Sequence, residues 1–200
     1  MKAIRWASGL RDGLARGIFP HEISLFLELP WRNLVLSPQK LVERLGLTAR
    51  SRVLEIGVGS GFYSVEVART VSEGRLELLD LQPAMLRKAR RKLEANKLSN
   101  VGYTLADASR LPFRENSFDL LFLVAVLGEV RNRKAFLGEA LRVLKPGGTL
   151  SISEHLPDPD FSSFAKVKSL VEKEHFEFSS RHGARWAYTA NFRKAVNRQS

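Results

Sequence analysis

The sequence contains no cysteine. Disulfide bonds, thiolate metal sites and a cysteine nucleophile are therefore excluded. The sequence also has no apolar run long enough to span a membrane. No signal peptide is evident, because charged residues interrupt the N-terminal stretch at Arg5, Arg11, Asp12 and Arg16. We therefore expect a cytoplasmic protein.

Acidic residues are scarce relative to basic ones. The chain has 21 aspartates and glutamates against 32 lysines and arginines, which gives a formal net charge of +11 in 200 residues. A basic surface favours polyanions, either nucleic acid or anionic lipid head groups. A solvated, arginine-rich surface is an equal alternative, because the basic residues are spread along the chain. The length suits one domain with a sizeable core.

One stretch, residues 52–64, organises the rest of the chain. Its first half is apolar and β-branched, which predicts a buried strand. Gly57, Gly59 and Gly61 follow, and a helical pattern of apolar residues begins at Tyr63. A strand, a glycine turn and a helix form the first unit of a nucleotide-binding α/β sheet. In such a unit a ligand approaches the backbone closely, and the helix N-terminus offers N–H donors.

The spacing of the glycines separates two kinds of nucleotide site. The dinucleotide fingerprint G-x-G-x-x-G requires its third glycine where this chain has Phe62. Here the third glycine comes one residue earlier, and Glu55 stands two residues before the first. This pattern resembles motif I of the class I S-adenosylmethionine-dependent methyltransferases.

The resemblance implies a cofactor and a set of residues that bind it. In that family the glycine loop wraps the amino-acid end of S-adenosylmethionine, and no pyrophosphate is bound. Carried onto this sequence, the cofactor-binding residues of this first unit are Glu55, Gly57, Gly59, Gly61 and Tyr63.

A second acidic residue, Asp80, ends the predicted second strand, 75–80, nineteen residues after Gly61. A carboxylate at the end of that strand can accept hydrogen bonds from both ribose hydroxyls of an adenosine ligand. This geometry serves NAD and S-adenosylmethionine alike, so Asp80 predicts an adenosine ligand without choosing between them. Its neighbour Leu81 is assigned to the same site.

The third predicted strand, 101–105, leads into Asp107-Ala108 and then into the turn 111–113, Leu-Pro-Phe. This order is similar to an Asp-Ala step in the same family, where the carboxylate takes the adenine amino group and the next backbone N–H takes a ring nitrogen. By that resemblance Asp107 and Ala108 bind adenine. An aspartate after a strand is otherwise a turn former.

Residues 117–126 are the most apolar run and predict a strand buried on both faces of a parallel sheet. The C-terminal end of this run, from Ala125 to Val130, should face the reacting methyl group, because open α/β sheets bind ligands beyond their strand ends. Ala125 is therefore placed in the cofactor site. Glu129 is either a base or orienting acceptor, or a residue that caps the next helix.

A second strong resemblance covers residues 142–148, Arg-Val-Leu-Lys-Pro-Gly-Gly, which match the family's turn between the fourth helix and the fifth strand. Two strand-like runs, 175–179 and 186–192, joined by 180–184, predict a closing antiparallel hairpin. The resemblance covers about residues 35–195. It implies an α/β fold, a doubly wound, Rossmann-like and mostly parallel sheet with helices on both faces. The expected order of its seven strands is 3-2-1-4-5-7-6, with an antiparallel last strand.

Residues 36–200 are expected to form this methyltransferase domain, and residues 1–35 a helical cap before it. Apolar residues recur in the N-terminal segment at near-helical spacing with basic residues between them. Such a pattern is typical of a cap over an active site or of a helix on a membrane interface. His21 could line a substrate pocket, or it could be a polar residue at a turn.

Within the class, the Leu-Pro-Phe turn and the 142–148 stretch look most like the branch of quinone-biosynthesis C-methyltransferases and phospholipid or small-molecule methyltransferases. We therefore expect an enzyme that moves a methyl group from S-adenosylmethionine to a small or lipid-like acceptor. One alternative is a macromolecular acceptor, RNA or a protein lysine, which the net charge favours. Another is a non-catalytic, cofactor-binding scaffold. An NAD oxidoreductase is disfavoured by Phe62.

A base is required only if the acceptor must lose a proton. The candidate bases are Glu129, His21 and His155. A metal-assisted mechanism would require carboxylates at the end of the fourth strand, whereas Asp119 stands at its start. No metal is therefore predicted.

Overall fold

Five helices and seven strands follow one another along residues 36–196, the part of the chain that the computed structural model describes. The predicted cap and His21 lie outside the described residues. The helices are α1 (Pro38–Leu45), α2 (Ser64–Thr70), α3 (Pro83–Ala95), α4 (Arg133–Val143) and α5 (Phe164–Glu172). The strands are β1 (Arg52–Ile56), β2 (Arg75–Asp80), β3 (Val101–Leu105), β4 (Phe118–Val124), β5 (Leu144–His155), β6 (Phe176–Ala184) and β7 (Ala187–Lys194).

The strands form one sheet in the order β3-β2-β1-β4-β5-β7-β6. Pairing is parallel from β3 to β5, and β7 is antiparallel to both of its neighbours, β5 and β6. The predicted fold class, strand order and antiparallel last strand are therefore confirmed. The order reverses between β1 and β4, and doubly wound sheets bind their ligands beside such a point.

Two apolar layers cover the two faces of the sheet. In β1, Val53 packs with α1, α2 and α3, whereas the next residue, Leu54, packs with α4 and α5. In β4, Leu120 and Leu121 divide in the same way. Successive side chains of a strand point to opposite faces, so the central strands are buried on both sides. This burial explains why the 117–126 run is continuously apolar.

Local sequence signals fix the beginning and the end of α1. Ser37 accepts a hydrogen bond from the Lys40 N–H at 3.2 Å, Pro38 occupies the first helical turn, and Gly46 ends the helix in the left-handed conformation. Because Leu36 and Leu41 are buried, these local signals also fix where the chain enters the domain.

The strands at the other end of the sheet are longer than predicted. β5 includes residues 145–148, for which the sequence predicts a turn, and a register shift between Phe118 and Leu120 accommodates them. β6 continues through residues 180–184, predicted as the hairpin connection, so that the turn is only Arg185-Trp186. Main-chain pairing with β7 holds this polar segment in the sheet. Residues 180–184 carry no apolar alternation, so the sequence does not reveal this pairing.

Candidate functional site

A cavity of ≈ 510 Å³ opens at the carboxyl edge of the sheet, around the point where the strand order reverses. Its walls come from the residues that end or follow β1 to β5. Almost all of the predicted site residues of the described segment lie on it. These are Glu55, Gly57, Gly59, Tyr63, Asp80, Leu81, Asp107, Ala108, Ala125, Glu129 and His155.

The glycine loop after β1 forms the floor of the cavity. Gly57 has φ 71°, and a Cβ placed on it would lie 2.5 Å from a methyl carbon of Val126. Both the backbone angle and the close approach of Val126, in the segment that follows β4, therefore require glycine here. Gly61 is not among the cavity-lining residues. It packs against Ala89 of α3, where a Cβ would meet the Ala89 Cα at 3.0 Å.

Glu55 is buried at the end of β1 and accepts a hydrogen bond from the Ser64 hydroxyl at 2.7 Å. Tyr63, at the start of α2, donates from its hydroxyl to the Leu36 carbonyl at 3.2 Å. Because the Ser64 hydroxyl holds its side chain, Glu55 presents an oriented carboxyl group beside the glycine loop. An ammonium group is the natural partner of a carboxylate at that position.

Asp80 ends β2 with a side chain that is only 7% exposed. Its carboxylate accepts hydrogen bonds from the Gln82 N–H at 2.8 Å and the Gly59 N–H at 3.4 Å. Burial raises the pKa of Asp80 above its ordinary value, and these backbone donors oppose that rise. The carboxylate thus joins the glycine loop to the second strand and retains acceptor capacity on the cavity wall.

Asp107 forms a turn and also lies on the cavity wall. Its carboxylate accepts a hydrogen bond from the Ser109 N–H at 2.7 Å, which makes the residue a turn former. The same residue also lines the cavity, between Ala106 and Ala108. The turn therefore fixes the orientation of the aspartate at the cavity wall.

An ion pair that the sequence analysis missed supports this turn. Arg142, in α4, binds Glu139 through its Nε at 2.7 Å and donates to the carbonyls of Phe113 at 2.7 Å and Leu111 at 3.0 Å. Glu139 accepts from the Leu111 N–H at 2.7 Å. The hydrogen bonds between them lower the pKa of Glu139 and raise that of Arg142. The pair therefore joins the two motifs of the family resemblance, the Leu-Pro-Phe turn and the 142–148 stretch.

The other end of the cavity is built from the segments that follow β4 and β5. Apolar walls come from Val126, Val130, Pro157 and Pro159, and ionisable groups come from Glu129, Arg131, His155 and Asp158. Ala125 begins the first segment with φ 55°, and its N–H donates to the Ser153 carbonyl at 2.8 Å. A non-glycine residue in that region is strained, and such strain is concentrated at functional sites.

Glu154, behind this end of the cavity, is a further residue that the sequence does not predict. It is 2% exposed, and its Oε2 accepts from the Ser162 N–H at 3.1 Å. Among the described residues, its Oε1 has no hydrogen-bond partner. Burial raises the pKa of Glu154 to about 7. Tyr188 donates to the Ser162 carbonyl at 2.7 Å. Glu154 and Tyr188 together hold the segment that supplies Pro157 and Pro159.

No group of three or more histidine, aspartate or glutamate side chains in residues 36–196 is placed to hold a metal ion. Asp119, at the start of β4, lies on the amino edge of the sheet, where it binds Lys145 at 2.6 Å. Within the same described range, no helix is both long and apolar enough to cross a membrane.

Comparison with known proteins agrees with this geometry. Residues 54–152 match the family described as "Methyltransferase domain". The chain is 39% identical over 141 residues to a ubiquinone/menaquinone biosynthesis C-methyltransferase of Teredinibacter turnerae, covering 69% of this chain and 53% of that protein. It is also 39% identical over 110 residues to a demethylmenaquinone methyltransferase of Tropheryma whipplei, covering 55% of this chain and 44% of the relative. The chain thus spans about half the length of the curated relatives it matches.

Solved structures support the fold. A methyltransferase from Aquifex aeolicus described as SAM-dependent superposes with a TM-score of 0.82 over 88% of this chain and 100% of that one, at 23% identity. The [4+2]-cyclase SpnF superposes with a TM-score of 0.72 at 20% identity, covering 80% of each chain. Because a cyclase shares the architecture, the fold alone does not define the reaction.

The family match and the glycine-loop site together define the class. The chain belongs to the class I S-adenosylmethionine-dependent methyltransferases, whose cofactor is S-adenosylmethionine.

Proposed function

We propose that this protein is an enzyme that transfers the methyl group of S-adenosylmethionine to a small, quinone-like aromatic acceptor. The observation that carries the proposal is one cavity that extends across the carboxyl ends of five strands, from Asp107 after β3 to His155 at the end of β5. The names of the quinone-biosynthesis relatives support an aromatic acceptor for this chain too.

The residues on the cavity wall fit the cofactor. A volume of ≈ 510 Å³ lies within the range of pockets that enclose small-molecule ligands, roughly 300–1,000 Å³. We propose that Glu55 and the glycine loop bind the amino-acid end, that Asp80 accepts from the ribose hydroxyls, and that Asp107 and Ala108 bind adenine. The buried Asp80 supports this assignment, because a carboxylate with a raised pKa gains most from additional donors.

When bound, the cofactor supplies an activated methyl group on a sulfonium, so the protein has to align the acceptor and exclude water. Val126, Val130 and the two prolines provide an apolar wall for an aromatic ring. Glu129 and His155 provide a carboxylate and an imidazole that can hold the proton of an acceptor hydroxyl. We propose these two residues as alternative bases of the reaction.

We also propose that residues 1–35 cover the cavity. The first described residue, Leu36, is buried, and its carbonyl accepts from Tyr63 on the cavity wall. The N-terminal segment therefore joins the domain beside the glycine loop. We further propose a cytoplasmic location, which cell fractionation would test.

The test is a transfer assay with S-adenosylmethionine labelled in the methyl group. The acceptors offered are a short-chain naphthohydroquinone, an alkylated phenol, bulk RNA and lysine-rich protein. The proposal expects label in the hydroquinone or phenol fraction. Label confined to RNA or protein would overturn it in favour of a macromolecular acceptor, and cofactor binding without any transfer would favour a scaffold.

The bases are distinguished by single substitutions. The substitutions are Glu129→Gln and His155→Gln. The variant that removes the base should have a lower kcat and no acidic limb in its pH–rate profile, and its cofactor binding should stay unchanged. Glu115→Gln, an exposed carboxylate between the Leu-Pro-Phe turn and β4, is the matched control. If both variants retain the wild-type profile, neither residue is the base.

A further inference from the structure

The tip of the last hairpin exposes two large apolar side chains side by side. Trp186 is 51% exposed and Leu156 is 46% exposed. The Leu156 N–H donates to the Trp186 carbonyl at 2.8 Å, which joins the β6–β7 turn to the end of β5. Single exposed apolar residues are ordinary, whereas an adjacent pair beside a ligand cavity marks a contact surface.

Basic residues flank this pair. Arg181 and Arg185 are exposed, and residues 180–186 contain no acidic residue. The Arg181 guanidinium lies 4.9 Å from the centre of the Phe164 ring and donates to the Ala184 carbonyl at 3.1 Å, so its position is fixed. We call Leu156, Arg181, Arg185 and Trp186 the hairpin tip.

The hairpin tip borders the apolar end of the cavity. Leu156 is followed directly by Pro157, which lines the cavity with Pro159. The intervening Asp158 also lines the cavity, and its carboxylate accepts from the Asp160 N–H at 2.8 Å.

We propose that the hairpin tip docks the protein on the head-group region of an anionic lipid bilayer. Tryptophan is enriched at membrane interfaces, leucine adds apolar burial there, and arginine is attracted to anionic head groups. The formal net charge of +11 acts in the same direction. A bilayer fits better than a nucleic acid, because a bilayer buries both Leu156 and Trp186, whereas a base would stack on Trp186 alone.

This inference goes beyond the methyl-transfer reaction, since binding to a bilayer requires no acceptor. One consequence does rest on the proposed function. A lipophilic acceptor that leaves the bilayer at the hairpin tip would meet the Pro157 wall of the cavity first. Vesicle binding and methyl transfer are measured separately, so either proposal can fail while the other stands.

The experiment is co-sedimentation of the full chain with vesicles of phosphatidylcholine, with and without phosphatidylglycerol. We expect binding to the anionic vesicles that weakens as salt is added. The double variant Leu156→Ser/Trp186→Ser should lower the partition coefficient about tenfold. Arg185→Gln should lower it about fivefold, because one basic residue near an anionic surface contributes about 1 kcal/mol.

The control substitutions lie at or just beyond the opposite end of β7. Arg193 lies at the far end of β7, and Val196, the next large exposed apolar residue along the chain, lies two residues beyond that end. Val196→Ser and Arg193→Gln should leave partitioning unchanged. Titration with S-adenosylhomocysteine verifies that each variant is folded, and this readout also reports independently on the cofactor site.

Three results would overturn the proposal. The first is wild-type protein that does not sediment with anionic vesicles. The second is equal partitioning of the wild type and the double variant. The third is retention on bulk RNA that the double variant loses while vesicles bind neither protein, which would assign the hairpin tip to nucleic acid.

Discussion

Asp80 shows how one residue links the glycine loop to the end of the second strand. Its carboxylate is buried and yet held by backbone N–H groups from two different segments, Gly59 and Gln82. Burying a carboxylate is costly, and that cost is offset best when a ligand supplies further donors. The buried side chain therefore supports the ribose-binding role that we propose for it.

Asp80→Ala should weaken binding of S-adenosylhomocysteine roughly a hundredfold, because two hydrogen bonds to a charged acceptor contribute on the order of 3 kcal/mol. Calorimetric titration measures the dissociation constant. Asp119→Ala, on the amino edge, is the control and should leave binding unchanged. An unchanged dissociation constant for Asp80→Ala would remove Asp80 from the ribose site.

Glu154 should make the stability of the protein depend on pH. Its pKa is about 7 in the folded chain against an ordinary value of 4.5, so between these values the folded chain binds more protons than the unfolded chain. The free energy of unfolding should therefore fall as the pH rises through this interval, by at most about 3 kcal/mol, and level off above it.

Glu154→Gln keeps the shape of the side chain and removes its titration, so most of this decline should disappear. Denaturant unfolding at several pH values measures it, with the exposed Glu115→Gln as the control. A variant whose stability falls as steeply as that of the wild type would contradict the assignment of the raised pKa to Glu154.

At the scale of elements, α4 fixes a loop that belongs to the cavity. Arg142 and Glu139 hold Leu111 and Phe113 on the far side of the Asp107 turn. Both side chains leave α4 from neighbouring turns, three residues apart, which brings them onto one face of the helix. The helix thus positions a cavity wall without contacting the cavity.

Arg142→Ala should lower the free energy of unfolding by about 2 kcal/mol, because the carbonyls of Leu111 and Phe113 lose their partner. It should also weaken binding of S-adenosylhomocysteine by loosening the Asp107 turn. The control is Arg50→Ala, whose ion pair with Glu73 is highly exposed and contributes little. Equal losses of stability in the two variants would show that the α4 ion pair does not hold the loop.

Gly57→Ala tests the close approach between the glycine loop and the β4 segment. Gly46→Ala is a matched control, since Gly46 also has a positive φ of 62° but has nothing within 4 Å of an added Cβ. Both variants pay backbone strain of about 1–2 kcal/mol. Only Gly57→Ala should lose additional stability and cofactor affinity, measured by denaturation and calorimetry. Identical effects would show that Val126 moves aside easily.

The sequence predicts the parallel half of the fold well, because each of its strands is a short apolar run bounded by turn residues. It predicts the antiparallel half less well. The extent of β6 depends on pairing with β7, and residues 180–184 carry no apolar alternation that would mark it. β5 also begins earlier than predicted, because it includes residues 145–148, whose proline and glycines favour turns.

The candidate site also contains some residues that the sequence predicts and others that it does not. Glu55 and Asp80 lie at the ends of predicted strands and Asp107 follows one, so their place at one edge of the sheet follows from topology. Arg142 and Glu154 could not be assigned from the sequence, because their partners come from other elements. Glu139 meets Leu111, 28 residues away along the chain, and Glu154 looks like any acidic residue of a strand until Ser162 covers it.

At the scale of the whole molecule, the N-terminal segment provides a test of how the cavity is closed. Deleting residues 1–30 should impair methyl transfer more than cofactor binding, because we propose that the cofactor contacts come from the ends of β1, β2 and β3 and the loops that follow them. Parallel measurements of kcat/KM and of the S-adenosylhomocysteine dissociation constant give the comparison. Equal losses of both would indicate a structural role for the segment.

The amino edge of the sheet offers a place for probes. Glu115 and Asn116 are exposed just before β4, and the seven residues of that strand, at about 3.3 Å each, separate them from the cavity by about 20 Å. Since the chain has no cysteine, a single cysteine introduced at Glu115 would be its sole thiol. A fluorophore or a surface tether attached there would report on the enzyme while leaving both the cavity and the hairpin tip free.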